Sequence, residues 1–412
     1  MKTSSDRLPM PYGWGKVPYA LEDRLPWMNL PFEVAEYRQR VARLQSAAQA
    51  QGLDAVLVTG DLSDGSYVRY LTNFEDFYGG QSIVVVAAKG DPGFTTNGVM
   101  HGEPMHSGIQ DCWVPDVRCT AAPRTVTGGA KVSTIFDHAE DLLRERSSNP
   151  KAIGLAGPPL AGLSESLAAA FPGAEVRGCT DVLDEMCKIK SAAEVELLRG
   201  AAAQADAAIV AAMGAVREGA SEFDIAAAAH EAMFRAGAEH VGFAISVVAG
   251  ERAGFKHMAP TGNRVKKGDM VYVDLGSRNM GYYSDCSRQT VCGKPSAEQL
   301  RFMEANNRIV EECTRQISPG VAIATIADIA KHIAEEEGVA DFLYVRGHGI
   351  GCRIQNRPQI APGNTVTFER DMVFAFEPML VRFRFGTACW EDIWHVTASG
   401  VERLNRAPYR FW

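Results

Sequence analysis

The stretch VYVDLGSRNMGYYSDCSRQTV (residues 271–291) decides the fold of the second half of the chain. A β-rich run ends on one acid, Asp274, a glycine-containing turn follows, and a second acid, Asp285, opens another β-rich run. That is the pattern of two strands joined by a turn. Three further segments, RGHGIG (346–351), FAFEPML (374–380) and CWEDIWHV (389–396), repeat the theme and carry His348, Glu377 and Glu391. Each carboxylate lies in a short apolar run of the kind that becomes a buried strand. A single acid near a strand end is more often a cap, a turn former or a surface charge. Four that converge without cations would repel one another and take up protons, whereas two divalent ions would nearly neutralise them. Asp274, Asp285, His348, Glu377 and Glu391 therefore read as one metal-ligand set, and the glycines flanking His348 let the backbone approach closely there.

Working outward, 412 residues are long for one core, so two domains are expected. A hydrophobic fraction of 46% and a charged fraction of 22% are those of an ordinary globular chain. The net charge of -8 and pI near 5.7 argue against nucleic acid or an anionic membrane as the main partner. Nine cysteines, odd in number, dispersed and without CxxC spacing, suit reduced thiols in the cytoplasm better than a disulfide framework. The leader MKTSSDRLPMPYGWGKVPYALEDRLPW (1–27) has prolines and charges where the apolar region of a signal peptide would be, and no run is long enough to span a membrane. Its Tyr12, Trp14, Tyr19 and Trp27, set among prolines, read as an extended arm over residues 1–30 that packs on something.

From residue 31 to 180 helix and strand signals alternate, giving an α/β domain. EVAEYRQRVARLQSAAQAQG (33–52) has helical spacing and ends at a glycine, DAVLV (54–58) and QSIVVVAAKG (81–90) read as strands, and STIFDHAEDLLRER, IGLAG and LSESLAAAF continue the alternation. From residue 181 a helix-rich stretch begins, with Ser191 as N-cap of an alanine-rich helix and a second helix over DIAAAAHEAMFRAG (224–237). Two more helices, near 298–316 and 323–337, separate the acid-bearing strands, so 181–412 reads as an α+β domain.

The motifs HMAP (257–260), GDMVYVDLG, GYYSDCSRQTV, GHGIG, FEPM and WEDIWHVT resemble those of the pita-bread metalloenzymes, the family of methionine aminopeptidase, prolidase, aminopeptidase P and creatinase. EYRQRVARLQ, DAVLV and YVRYLTNF are similar to a creatinase-type N-terminal domain. The resemblance implies that Asp274 chelates one ion, that His348 and Glu377 hold another, and that Asp285 and Glu391 bridge two divalent ions. Oxygen-rich ligation favours Mn, Co, Fe or Zn. It further implies that Glu377 shuttles a proton, that His257 stands near the scissile bond as a hydrogen-bond donor, and that the protein is a homodimer paired through its N-domains.

Two positions depart from the family pattern. Gln355 stands where a second histidine usually follows the ligand histidine, and an amide can still donate and accept but cannot hold a titrating proton. Cys389 stands two residues before Glu391, where prolidases and aminopeptidases P typically carry arginine. Arg353 and Arg357 flank Gln355 and are candidates to grip a substrate carboxylate. The leading expectation is a dinuclear metal-dependent hydrolase that cuts a C–N bond in a small amide or short peptide, like an Xaa-Pro dipeptidase. Alternatives are hydrolysis or elimination of a small non-peptide metabolite, like creatinase or the dimethylsulfoniopropionate lyases, and a pseudo-enzyme scaffold, against which the complete ligand set argues.

Overall fold

A computed structural model describes residues 20–76, 79–97, 111–120 and 133–412. The chain divides after Met186 into two compact units.

In the first unit, strands β1 (Ala55–Gly60), β2 (Ser82–Ala87), β3 (Gly93–Thr96), β4 (Asp116–Cys119), β5 (Ala152–Ala156) and β6 (Glu175–Gly178) form one mixed sheet in the order β4-β3-β2-β1-β5-β6. β1 runs parallel to β5 and antiparallel to β2. The runs AVLVTG and SIVVVA are buried along their whole length, as expected of strands covered on both faces. Alternate residues Ala55, Leu57, Ile83 and Val85 pack with Ala139, Leu142 and Leu143 of one helix and Leu163 and Leu167 of another. The sheet's helices are α2 (Val34–Ala50), α3 (Ser66–Thr72), α4 (Ile135–Arg146), α5 (Leu163–Ala170) and α6 (Thr180–Met186), with YVRYLTNF forming most of α3.

The end of the leader, over residues 21–27, is helical where an extended arm was expected. Leu21–Arg24 is a helical turn, α1, and Leu25–Trp27 a 3₁₀ turn, with acids at the start of the turn, a base at its end and a proline in the first 3₁₀ positions, all favourable for a short helix. Arg24 is buried and donates to the carbonyls of Cys112 (2.8 Å) and Val114 (2.6 Å), which ties the leader to its own unit. Trp27 is 74% exposed, and Tyr12, Trp14 and Tyr19 lie outside the described residues.

The second unit opens with α7 (Ala192–Ala215) and α8 (Glu222–Arg235). Ser191 caps α7 in a reciprocal box with Glu194, and Ser221 does the same for α8 with Asp224. Strands β7 (His240–Val241), β8 (Ser246–Ala249), β9 (Met270–Leu275), β10 (Ser277–Asn279), β11 (Tyr282–Tyr283) and β12 (Cys286–Val291) follow, then α9 (Ala297–Arg315) and α10 (Ile323–Glu336). The last strands are β13 (Leu343–Tyr344), β14 (Gly347–Gly349), β15 (Asn356–Gln359), β16 (Val373–Phe376), β17 (Met379–Arg382), β18 (Gly386–Cys389), β19 (Asp392–Val396) and β20 (Val401–Arg403). They pair as β12-β9-β8, β11-β10-β7, β13-β17-β18 and β15-β14-β16-β19-β20.

The two-residue period of these strands decides what faces the site. Val271, Val273 and Leu275 of β9 and Cys286 of β12 pack into the core beneath α7 and α8, so Asp274, Asp285 and Ser287 point the other way. Phe374 and Phe376 of β16 pack into a second core with α9 and α10, which turns the next residue, Glu377, away from it. Each pair of helices thus backs a sheet whose free face carries acids. All nine cysteines are buried and unbridged.

Candidate metal centre

Register brings the acids together. Asp274 lies opposite Ser246 of β8 on one side and Ser287 of β12 on the other, and Ser287 forms an isolated antiparallel bridge with Glu391. In the neighbouring sheet His348 pairs with Ala375, and Phe376 pairs with both Gly347 and Asp392, so Glu377 and Glu391 emerge at the adjoining ends of β16 and β19. The glycines beside His348 are required by contact: a Cβ on Gly347 would meet the Ala375 carbonyl at 2.6 Å, and one on Gly349 the Arg357 carbonyl at 2.1 Å.

Within this fold Asp285, His348 and Glu391 offer ligand atoms that all lie within 4.8 Å of one another. His348 Nε2 is 3.4 Å from Asp285 Oδ2 and 3.8 Å from Glu377 Oε1. Asp274 joins through His257, whose Nδ1 is 3.0 Å from Asp274 Oδ2. Ser287 donates its hydroxyl to Glu391 Oε2 (2.6 Å), and the buried Arg288 donates to the Glu391 carbonyl (2.7 Å) while pairing with Asp392 (2.7 Å). All four acids are buried, at 6% exposure or less.

Such a cluster is unstable by itself. Two like charges 4 Å apart in a partly screened interior cost about 4 kcal/mol, and the acids respond by holding protons. Burial, and then the neighbouring Asp274, pushes the Asp285 carboxyl well above the carboxylate range. Burial, followed by Asp285 and Glu377, does the same to Glu391. Glu377 is pushed up to about 7 by burial and by Asp285. Burial holds His348 below its ordinary value, while the hydrogen bond that His257 donates to Asp274 raises His257.

Two observations fit the set to divalent cations. Asp274 Oδ1 and Glu391 Oε1 are buried without a hydrogen-bond partner, although most buried polar side-chain atoms in proteins have one. His348 Nδ1 lies 3.1 Å from the Gly349 carbonyl, so that nitrogen carries the proton and Nε2 presents its lone pair to the acids, the usual arrangement of a ligating histidine. His257 sits at a left-handed backbone angle, φ 57°, with its side chain 37% exposed beside Asp274.

The other candidates lie at the margin. Gln355 is exposed and Arg353 half-buried on the loop leading into β15, and Arg357 is exposed within β15. Cys389 is fully buried with Val248, Ala253, Tyr272 and Met379, and burial lifts its thiol well above the ordinary value. Sequence reading overlooked Arg346, whose Nε lies 2.9 Å from Glu377 Oε1, and Ser287. Both were findable, since each stands two residues from a chosen ligand, on the same face of an extended run.

Fold and site together define a metal-dependent hydrolase, with Asp285, His348 and Glu391 as a candidate metal site. The model for metallopeptidase family M24 matches residues 196–398, and the creatinase/prolidase N-terminal domain matches residues 40–187. An Xaa-Pro dipeptidase of Pyrococcus furiosus is 29% identical over 276 residues, 66% of this chain and 77% of that one. YkvY of Bacillus subtilis is 31% identical over 250 residues, 60% of this chain and 68% of that one. Among solved structures, the prolidase of Pyrococcus horikoshii superposes with a TM-score of 0.78 at 22% identity, covering 91% of this chain and all of that one. The dipeptidase PepE of Mycobacterium ulcerans gives a TM-score of 0.75 at 27% identity, covering 92% and 98%. The chain belongs to metallopeptidase family M24, with a creatinase/prolidase N-terminal domain.

Proposed function

We propose that this protein is a metal-dependent dipeptidase that hydrolyses the peptide bond of short substrates of the Xaa-Pro type. The observation that carries it is the convergence of Asp274, Asp285, His348, Glu377 and Glu391, with two buried oxygens unpartnered, in a chain of this family. Relatives named Xaa-Pro dipeptidase favour a peptide over the small-metabolite alternative.

In this reading Asp274, Asp285, His348, Glu377 and Glu391 would hold two divalent ions of Mn, Co, Fe or Zn, Asp285 and Glu391 being the residues that would serve both. Bound divalent ions act as Lewis acids toward a carbonyl and make water acidic enough to attack it near neutral pH. The residues of the chain do the rest. His257, its Nδ1 held on Asp274 and its protonated form favoured, keeps Nε2–H as a donor that would serve the oxyanion of the tetrahedral intermediate. Glu377 is the carboxyl placed to carry a proton from water to the leaving nitrogen. Ser287 and Arg288 fix the side chain and backbone of Glu391, so the bridging position is preorganised. The protein would act in the cytoplasm as a homodimer.

The test is hydrolysis of Xaa-Pro dipeptides by protein loaded with each metal, beside a panel of small amides. Cleavage of the dipeptides that disappears with a chelator supports the proposal; turnover of the amides alone would replace it with the metabolite reading.

A further inference from the structure

We propose that Cys187 and Cys352 form a dithiol that hydroperoxides oxidise to a disulfide, and that this modification weakens the metal centre by displacing the loop that follows His348. Neither residue has a part in the hydrolysis described above. Their sulfurs lie 3.6 Å apart, from positions 165 residues apart in the sequence, and both belong to the second unit. A disulfide holds its sulfurs about 2.05 Å apart, so the pair has to close by about 1.5 Å.

Lys190 gives the pair its chemistry. It is buried, its Nζ donates to the Lys188 carbonyl (3.2 Å), and its charge acts on both sulfurs. Burial raises the Cys187 thiol well above its ordinary value, and the Lys190 ammonium opposes that rise. The thiolate is the form that reacts with peroxides, so a cation buried beside two thiols favours reaction at a place where burial alone would suppress it.

Cys352 is tied to the metal ligands through its own loop. It follows Gly351, between β14, which carries His348, and β15. Ile350 N donates to the Val373 carbonyl (3.0 Å) at the start of β16, and the Gly351 carbonyl accepts from Tyr283 N (2.9 Å), two residues before Asp285. Cys187 stands beside a segment held elsewhere: Ile189 bridges to Met372, and Lys190 N donates to the Asp371 carbonyl (2.9 Å). Closing the sulfurs therefore moves the Cys352 loop and pulls on its bond to Tyr283. A Cβ on Gly351 would meet Lys190 Cε and Asn356 Oδ1, each at 3.1 Å, so the loop is packed too closely to absorb the movement by itself. Asn356 is buried with both side-chain polar atoms lacking a hydrogen-bond partner, so a shifted loop breaks no bond of that side chain.

The oxidation has two steps. The Cys352 thiolate attacks one oxygen of hydrogen peroxide; the O–O bond breaks, the departing hydroxide takes a proton to become water, and a sulfenic acid is left on sulfur. Cys187 then attacks that sulfur, forming the S–S bond as the S–O bond breaks, and its proton leaves with the hydroxide as a second water. Two thiols lose two electrons and two protons, and one peroxide becomes two waters.

The experiment treats the zinc-loaded protein with hydrogen peroxide, zinc being the metal without redox chemistry of its own. Digestion without reductant should release a pair of peptides joined through Cys187 and Cys352, seen by mass spectrometry and absent after dithiothreitol and from Cys187→Ser and Cys352→Ser. Zinc affinity, measured by competition with a chelating dye, should fall about 10- to 100-fold on oxidation, as for disturbance of groups that support metal ligands, and recover with dithiothreitol. Cys352→Ser should keep its affinity through the same treatment. Failure to find the joined peptides, a joined pair with unchanged affinity, or an equal loss in Cys352→Ser would overturn the inference. If the serine variants do not fold, the wild type decides: an affinity loss that dithiothreitol reverses together with the crosslink upholds the dithiol, and one that persists after the crosslink is reduced overturns it. None of these measurements is of hydrolysis, so failure of the dipeptidase reading leaves their outcome standing.

Discussion

Stripping the metal should make the protein's stability fall as pH rises, and Glu377 sets the size of the effect. In the metal-free fold its carboxyl is pushed from an ordinary 4.5 to about 7, first by burial and then by Asp285. The folded state therefore keeps its proton where the unfolded chain gives it up, and the unfolded state gains by ionising. Stability from this group is fully present below about 4.5 and is lost as pH rises through 7. Moving a carboxyl that far corresponds to ~3 kcal/mol, of which ~2.5 kcal/mol falls between pH 5 and pH 8. Asp285 and Glu391, also raised, act in the same direction, as does His257, whose raised value is lost at higher pH. His348, held low, works the other way. At about 2–4 °C per kcal/mol for a unit of this size, Glu377 alone should lower Tm by about 5–10 °C between pH 5 and pH 8. The assay is thermal unfolding of chelator-treated protein across that range, wild type against Glu377→Gln. The variant should lose about that much of the pH dependence. Metal-loaded wild type should show the opposite trend, because ions bind the deprotonated ligands. A Glu377→Gln protein whose metal-free melting varies with pH as the wild type's does would refute the reasoning.

Asp285→Ala and Glu391→Ala should each lose the whole metal complement and all hydrolysis, measured by elemental analysis and peptide assay; retention of one ion per chain would exclude a bridging role. His257→Ala should keep its metal while kcat falls by about 10²–10³, as for removal of an oxyanion donor, and unchanged kcat would remove His257 from the chemistry. Gly349→Ala should destabilise the fold and lower metal affinity together, because its methyl would meet the Arg357 carbonyl at 2.1 Å; normal metal binding would show that the strand can shift at little cost. Deleting residues 1–28 should weaken dimerisation or raise KM at constant metal content, read by light scattering and kinetics, with unaltered assembly and kinetics counting against the arm.

The clustering of Asp285, His348 and Glu391 was legible in the sequence because each acid sits at an apolar strand, and a charge there needs a partner wherever the strand is buried. The helix starts were legible for a local reason: Ser191 with Glu194, and Ser221 with Asp224, complete their caps within four residues. Arg346 stands two residues before His348, within reach of the strand pattern, but its contact with Glu377 depends on the pairing of β14 with β16, 29 residues apart at the Gly347 and Phe376 pair. The end of the leader is helical where its prolines suggested extension, and its first described turn is anchored by Arg24, reaching carbonyls 88 and 90 residues away. Gln355 was chosen by its distance from His348 along the chain, and Arg353 and Arg357 because they flank it.

The hydrogen bond from His348 Nδ1 to the carbonyl of Gly349 closes within two adjacent residues of the chain. Because the acceptor is a peptide group, no substitution elsewhere can delete it, and the imidazole's tautomer is insulated from drift in the surrounding sequence. The loops that shape the pocket are therefore free to diversify while the metal-facing nitrogen stays the same, which lets one inherited centre be refitted to new substrates without being rebuilt.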